Sequence, residues 1–190
     1  VRDGRTVLSD AIASQADMHA IYGGVVPEIA SRKHIEAIAG LSDRALAQAG
    51  VSKGDIGAVA VTYAPGLVGA LVVGVAFAKG AAWALDVPLI GVNHLEGHLY
   101  ANKIGDDAFA PPAVVSLVSG GNTLLVHMRG WGDYVTLGAT IDDAVGEAFD
   151  KVAKALGLGY PGGPVISRMA AQGDPDAIPF PRAMLHSGDL

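Results

Sequence analysis

An α/β fold is predicted by three features of this 190-residue chain. Between Ile56 and Val92 a strand-like run, a long apolar helix-like run and a second strand-like run follow one another, the order that gives a parallel pair with a right-handed crossover. From Ala113 to Leu137 come three short strand-like runs separated by Gly120-Gly121-Asn122 and Gly130-Trp131-Gly132, which predicts an antiparallel meander. Between the two patterns stands Ala110-Pro111-Pro112, a junction that places one unit over residues 1–110 and a second over 111–190.

Pro27 followed by Glu28 opens the first long helix, since proline is tolerated at the first position and an acid suits the positive end of the dipole. Ile38, Leu41, Ala45, Leu46 and Ala49 then recur with helical period, and Gly50 stops them. Ile56 to Thr62 reads as a buried strand, broken by Tyr63-Ala64-Pro65-Gly66. Leu67 to Leu85 reads as a helix buried on most sides, with small residues for close packing on a sheet, and Val87 to Val92 as the next strand. The meander strands are Ala113 to Leu117, Thr123 to Met128 and Tyr134 to Leu137. A helix is expected from Asp143 to Leu156, with Val145, Phe149, Val152 and Leu156 on one face, Asp142 and Asp143 as capping and dipole partners, and Gly157 just beyond. Tyr160-Pro161-Gly162-Gly163-Pro164 is expected to form a compact turn before a short helix from Ile166 to Ala171.

Composition bounds the function. Hydrophobic residues make up 51% of the chain, enough for a substantial core. The longest apolar run, Leu67 to Ala78, is about twelve residues against the roughly twenty that cross a bilayer, so no membrane span is expected. The opening Val1-Arg2-Asp3-Gly4-Arg5 has no secretory pattern, and the expected compartment is the cytoplasm. Without cysteine, disulfides and thiolate ligands are excluded, so a metal would be held by His, Asp or Glu. A net charge of -6 argues against a surface that grips nucleic acid throughout. Arg32-Lys33-His34 and Lys151 with Lys154 are local basic candidates, or else solvated helix faces.

The segment Asn93-His94-Leu95-Glu96-Gly97-His98 carries the sharpest chemistry. On a helix, His94 and His98 share one face one turn apart, where two imidazoles can hold one metal ion. The zinc-peptidase order His-Glu-x-x-His is absent, because Glu96 does not directly follow His94. Ser119-Gly120-Gly121-Asn122-Thr123 between two strands is either a hairpin turn or a place where backbone approaches a phosphate or carboxylate. Tyr63 to Gly69 offers the same choice between an anion-binding strand-to-helix turn and tight packing. Asp150 lies too far into its helix to cap it, so it either accepts hydrogen bonds from a ribose or cation or pairs with Lys154 four residues on. Gly162 and Gly163 are turn residues or a close-contact surface for a ligand.

Taken together, Tyr22-Gly23-Gly24-Val25-Val26-Pro27-Glu28-Ile29-Ala30-Ser31-Arg32, Pro65 to Leu71, His94 to His98, Val118 to Gly121, Asp142 to Lys151 and Tyr160 to Pro164 resemble the bacterial tRNA threonylcarbamoyladenosine transferase family (TsaD), formerly described as O-sialoglycoprotein endopeptidase. The resemblance covers nearly the whole chain. It implies an actin-like, sugar-kinase and Hsp70 fold with ribonuclease-H-like lobes, mixed sheets and a ligand cleft between lobes. The activity it implies is transfer of the threonylcarbamoyl group from threonylcarbamoyl-AMP to N6 of the adenosine 3′ of the anticodon. Carried over by motif, His94 and His98 are metal ligands for iron(II) or zinc. Leu117, Val118, Ser119, Gly120, Gly121, Asp150 and Gly163 contact the adenylate, with ATP or ADP as other occupants. The implied partners are tRNA, a same-fold paralogue (TsaB) and a small ATPase (TsaE).

Asn122 stands where many relatives have histidine, which removes any role needing an imidazole there. The resemblance further implies an opening strand before Val1 and, past Leu190, an aspartate completing the metal site and an asparagine on the nucleotide. The chain is therefore expected to be a fragment that holds metal and adenylate weakly. Three other functions fit parts of the pattern. A same-fold carbamoyltransferase with a non-tRNA acceptor shares the paired histidines but not the Val25 to Arg32 signature. A metallopeptidase is opposed by the order around Glu96, and a non-catalytic scaffold paralogue by retention of both histidines.

Overall fold

The predicted strand-helix-strand and meander both form in the computed structural model, which describes residues 1–182. Residues 183–190, the end of the expected second unit, lie outside the described residues. The chain divides into Val1–Asp107 and Ala108–Leu190.

In the first unit a short helix unanticipated by the sequence reading, α1 (Ala16–Tyr22), precedes α2 (Pro27–Ala49). Pro27 is the first helical residue of α2, and Gly50 ends it in the left-handed region at φ 66°, its N–H donating to Ala47 O. Both signals act as the sequence implied. β1 (Val59–Ala64) leads into α3 (Val68–Leu85), which returns the chain to β2 (Leu89–Asn93), parallel to β1 and in register from Val59 with Leu89. β1 begins three residues later than expected, after a 3-10 turn at Lys53–Asp55 whose C-cap is Ile56. The first unit ends with α4 (His94–Gly105).

α3 corrects the expectation of burial on most sides. It packs on β1 and α2, yet only Ala78 and Ala82 are buried, while Val68, Val72 and Trp83 are exposed. It is also long and apolar enough by composition to cross a membrane, the one such helix among the described residues, although its place is that of a crossover between paired strands. Its approach to α2 is close: a Cβ at Gly69 would lie 2.5 Å from Ser31 Oγ.

The second unit opens with the meander β3 (Ala113–Val118), β4 (Thr123–Gly130) and β5 (Asp133–Ala139), with β4 central. Val126 and Met128, two residues apart and so on one face, are buried at 5% and 0% exposure. α5 (Val145–Ala155) and α6 (Gly162–Ala170) follow and pack on each other.

Two expectations fail here. Asp142 and Asp143 do not cap α5, whose N-cap is Ala144 with no side-chain bond. Thr123 Oγ1 accepts the Val145 N–H at 2.9 Å instead, so a residue from β4 satisfies an orphan donor of the helix. The Gly162-Gly163-Pro164 stretch is not a turn before the last helix but its first turn, because Asp150 Oδ1 accepts the Gly162 N–H at 2.7 Å. Gly162 is required by space: a Cβ there would lie 2.5 Å from Phe149 O and 2.6 Å from Ala153 Cβ. The expected apolar face of α5 stays partly exposed, from 39% at Val145 to 66% at Leu156.

Candidate functional site

The histidine pair owes its geometry to a cap. Asn93 ends β2 and its side-chain Oδ1 accepts the N–H of Leu95 at 2.9 Å and of Glu96 at 3.3 Å, so α4 starts at His94. Leu99 is buried on the other side of the helix, and both histidines are exposed. Their Nε2 atoms are 3.2 Å apart, with ring centroids separated by 4.6 Å and planes inclined at 68°. This arrangement admits a ring-to-ring hydrogen bond or a shared ion. Two corners of a tetrahedral site with metal–nitrogen bonds of about 2.0–2.1 Å lie roughly 3.3 Å apart, so the pair fits a zinc-like or iron-like cation. No group of three or more metal-ligating side chains occurs among the described residues, so these two supply only part of a ligand set.

The glycine-rich loop lies in the second unit and is built from within. Ser119 Oγ accepts the N–H of Asn122 at 3.0 Å and of Gly121 at 3.4 Å, and the Ser119 N–H donates to Asn122 O at 2.8 Å. The loop is also fastened to α5, because the Gly146 N–H donates to Ser119 O at 3.1 Å. The two backbones touch so closely that a Cβ at Gly146 would lie 2.6 Å from Ser119 O and 2.8 Å from Gly120 Cα. Gly120, Gly121 and Gly163 differ: a Cβ at any of them would meet nothing within 4 Å, and none has positive φ. Neither packing nor backbone conformation requires glycine there, so their bareness leaves main chain open to a close ligand. Gly121→Ala is accordingly expected to change stability by no more than about 0.5 kcal/mol while weakening AMP binding in a calorimetric titration.

The remaining expected site residues divide by burial. Leu117 is buried at 5%, so any ligand contact there would go through its main chain, whereas Val118 is 52% exposed. Asp150 makes no ion pair with Lys154 among the described residues. Its half-buried carboxylate ties α5 to α6 through Gly162. Asp150→Ala should lower unfolding free energy by about 1.5–3 kcal/mol in urea denaturation, the value of a hydrogen bond to a charged group. Asp150→Asn, which keeps an acceptor oxygen, should recover most of that.

Three of the basic candidates, Arg32, Lys33 and Lys151, are neutralised locally. Arg32 pairs with Glu28 at 2.7 Å and Lys33 with Glu36 at 2.6 Å, both exposed. Lys151 pairs with Asp143 at 2.6 Å and Glu147 at 3.1 Å, and the hydrogen bond to Asp143, then that to Glu147, holds its ammonium above the usual lysine range. A raised lysine contributes fully below its unfolded value of about 10.4 and loses that contribution only as pH rises through the folded value. This cluster therefore gives no pH dependence near neutrality.

Sequence reasoning missed Asn93, Thr123 and Gly146 as the residues that shape these two sites. Asn93 was legible as a preferred cap directly after a strand. Thr123 and Gly146 act across 22 and more residues, a separation that local pattern does not report.

The family model described as tRNA N6-adenosine threonylcarbamoyltransferase matches residues 6–190. Proteins of that name are 58% identical over 190 residues in Clostridium perfringens (strain SM101 / Type A), with 100% of this chain and 56% of the relative covered. In Syntrophotalea carbinolica the identity is 59% over 185 residues, covering 97% and 54%. The chain thus spans about half the length of these curated relatives. Among solved structures, YeaZ from Pseudomonas aeruginosa aligns with TM-score 0.40 and 19% identity over 54% of this chain and 53% of that one.

Proposed function

The chain belongs to the tRNA N6-adenosine threonylcarbamoyltransferase family, and we propose that the protein carrying it transfers the threonylcarbamoyl group of threonylcarbamoyl-AMP to N6 of the adenosine 3′ of the anticodon, in tRNAs that read codons beginning with A. The observation that carries this reading is the Ser119–Asn122 loop, preformed by its own hydrogen bonds, fastened to α5, and bare at Gly120 and Gly121. Such a loop can meet the adenylate without reorganising, which lowers the cost of binding and of charge development on the leaving phosphate. Leu117 and Val118 contribute main chain beside it, and Asp150 positions the first turn of α6, where the bare Gly163 would meet the same ligand.

In the transfer, the exocyclic amine forms a C–N bond to the carbamoyl carbon, the C–O bond to phosphate breaks, and AMP leaves as the amine loses a proton. His94 and His98, with Nε2 atoms 3.2 Å apart, would hold a divalent cation, iron(II) or zinc, through their unprotonated nitrogens. Such a cation supplies Lewis-acid polarisation of the carbamoyl oxygen. Partner proteins of the TsaB and TsaE kinds are read as assisting, because the net charge is -6 and Arg32, Lys33 and Lys151 are each paired with an acid. We read the two units as the first lobe and the start of the second lobe of the actin-like fold, in a cytoplasmic protein. Mass spectrometry of tRNA nucleosides after incubation with the protein, its partners and threonylcarbamoyl-AMP tests the reading. Threonylcarbamoyladenosine is expected, and its absence would refute the assignment.

A further inference from the structure

A buried histidine outside both sites forms one directional relay. His19 is 5% exposed, the one buried polar residue among the described residues. The Val26 N–H, which can only donate, points to His19 Nδ1 at 3.3 Å. That nitrogen is therefore bare, and His19 Nε2 lies 3.2 Å from Gln15 Oε1, where its proton is donated. The amide nitrogen of Gln15 is in turn 3.3 Å from His34 Nδ1. Every link runs the same way, from Val26 to His19 to Gln15 to His34, and each imidazole must be uncharged.

The relay spans a junction. Val26 is the N-cap of α2, Gly23 ends α1 at φ 70° and Gly24 has φ 157°. Gly24 N–H donates to His19 O at 3.2 Å, so backbone and side chain of His19 both hold the turn that follows it. Tyr22 and Val25 in that turn are exposed at 57% and 52%.

We propose that His19 is a proton-operated latch on the α1–α2 junction. Uncharged, its ring holds the Val26 N–H; protonated on Nδ1, it has no lone pair left for that N–H and releases the turn carrying Tyr22 and Val25. A single in-plane lone pair on Nδ1 makes the two states exclusive. Besides His19, the titratable and charged groups on the joined helices are Asp17 and Tyr22 on α1 and Glu28, Arg32, Lys33, His34, Glu36, Asp43 and Arg44 on α2. Glu28 and Glu36 are engaged with Arg32 and Lys33, and the extended Ala11 to Ser14 stretch carries no charged group. His34 stands at the far end of the relay, and a proton on its Nδ1 would break only the outer link to Gln15.

Amide hydrogen exchange of the 190-residue chain from pH 8 to pH 5, corrected for intrinsic rates, tests the latch, alongside an NMR titration of the His19 ring. The Val26 amide is expected to lose about tenfold of its protection, the scale of one backbone hydrogen bond, with the midpoint of the His19 titration. His19→Asn offers an amide oxygen in place of Nδ1 and should keep Val26 protected across the whole range. A Val26 transition displaced from the His19 midpoint, or one that persists unchanged in His19→Asn, would overturn the proposal.

Discussion

Gly146→Ala is expected to destabilise the second unit by about 1–3 kcal/mol and to reduce AMP affinity by tenfold or more. The new methyl would lie 2.6 Å from Ser119 O, 2.8 Å from Gly120 Cα and 2.9 Å from Gly120 N. All three are backbone atoms, so no rotamer change relieves the clash. Alanine gains about 1 kcal/mol of helix propensity over glycine, but parting the loop from α5 sacrifices the Gly146 to Ser119 bond and strains the neighbouring Val145 to Thr123 bond. The clash therefore outweighs propensity. Urea denaturation and calorimetric AMP titration read the two effects. Gly121→Ala supplies the contrast, since it should alter binding without altering stability, and a Gly146→Ala protein unchanged in both would show that the loop does not depend on α5.

His94→Ala is expected to reduce affinity for zinc or ferrous iron by more than a hundredfold, since even residues that merely orient a metal ligand cost 10–100-fold when lost. His94 is exposed and begins α4, where alanine is well tolerated, so stability should move by no more than about 0.5 kcal/mol. His98→Ala should match it, because the two nitrogens contribute as a pair. Metal titration by calorimetry, with thermal unfolding as the control, separates loss of a ligand from loss of fold. Equal metal affinity in wild type and His94→Ala would remove the histidines from the metal site.

The sequence made the order of elements legible wherever the signal was local. Pro27 and Gly50 bracket α2 because their preferences are intrinsic to backbone and dipole, and the meander follows from turn residues between short apolar runs. The errors arose where a distant residue decides the outcome. Thr123, rather than Asp143, serves the start of α5, leaving Asp143 to pair with Lys151. Asp150 pulls the start of α6 back to Gly162, so a stretch that reads as a proline-glycine turn becomes helix. α3 reads as buried from its apolar composition, but composition does not say which faces meet a neighbour. At the candidate site, periodicity was enough to put His94 and His98 on one face. Which glycines pack and which stay open required the fold: Gly146 and Gly162 pack, while Gly120, Gly121 and Gly163 stay open.

The proposed function gives cation binding to the histidine pair and adenylate binding to the glycine loop, two roles that are separable by substitution. Its most direct test is nucleoside mass spectrometry of tRNA incubated with threonylcarbamoyl-AMP, partner proteins and either wild type or His94→Ala, at protein concentrations matched for adenylate binding. Threonylcarbamoyladenosine is expected with wild type, and a loss of at least a hundredfold with His94→Ala while AMP affinity is retained. Undiminished product with His94→Ala would contradict it.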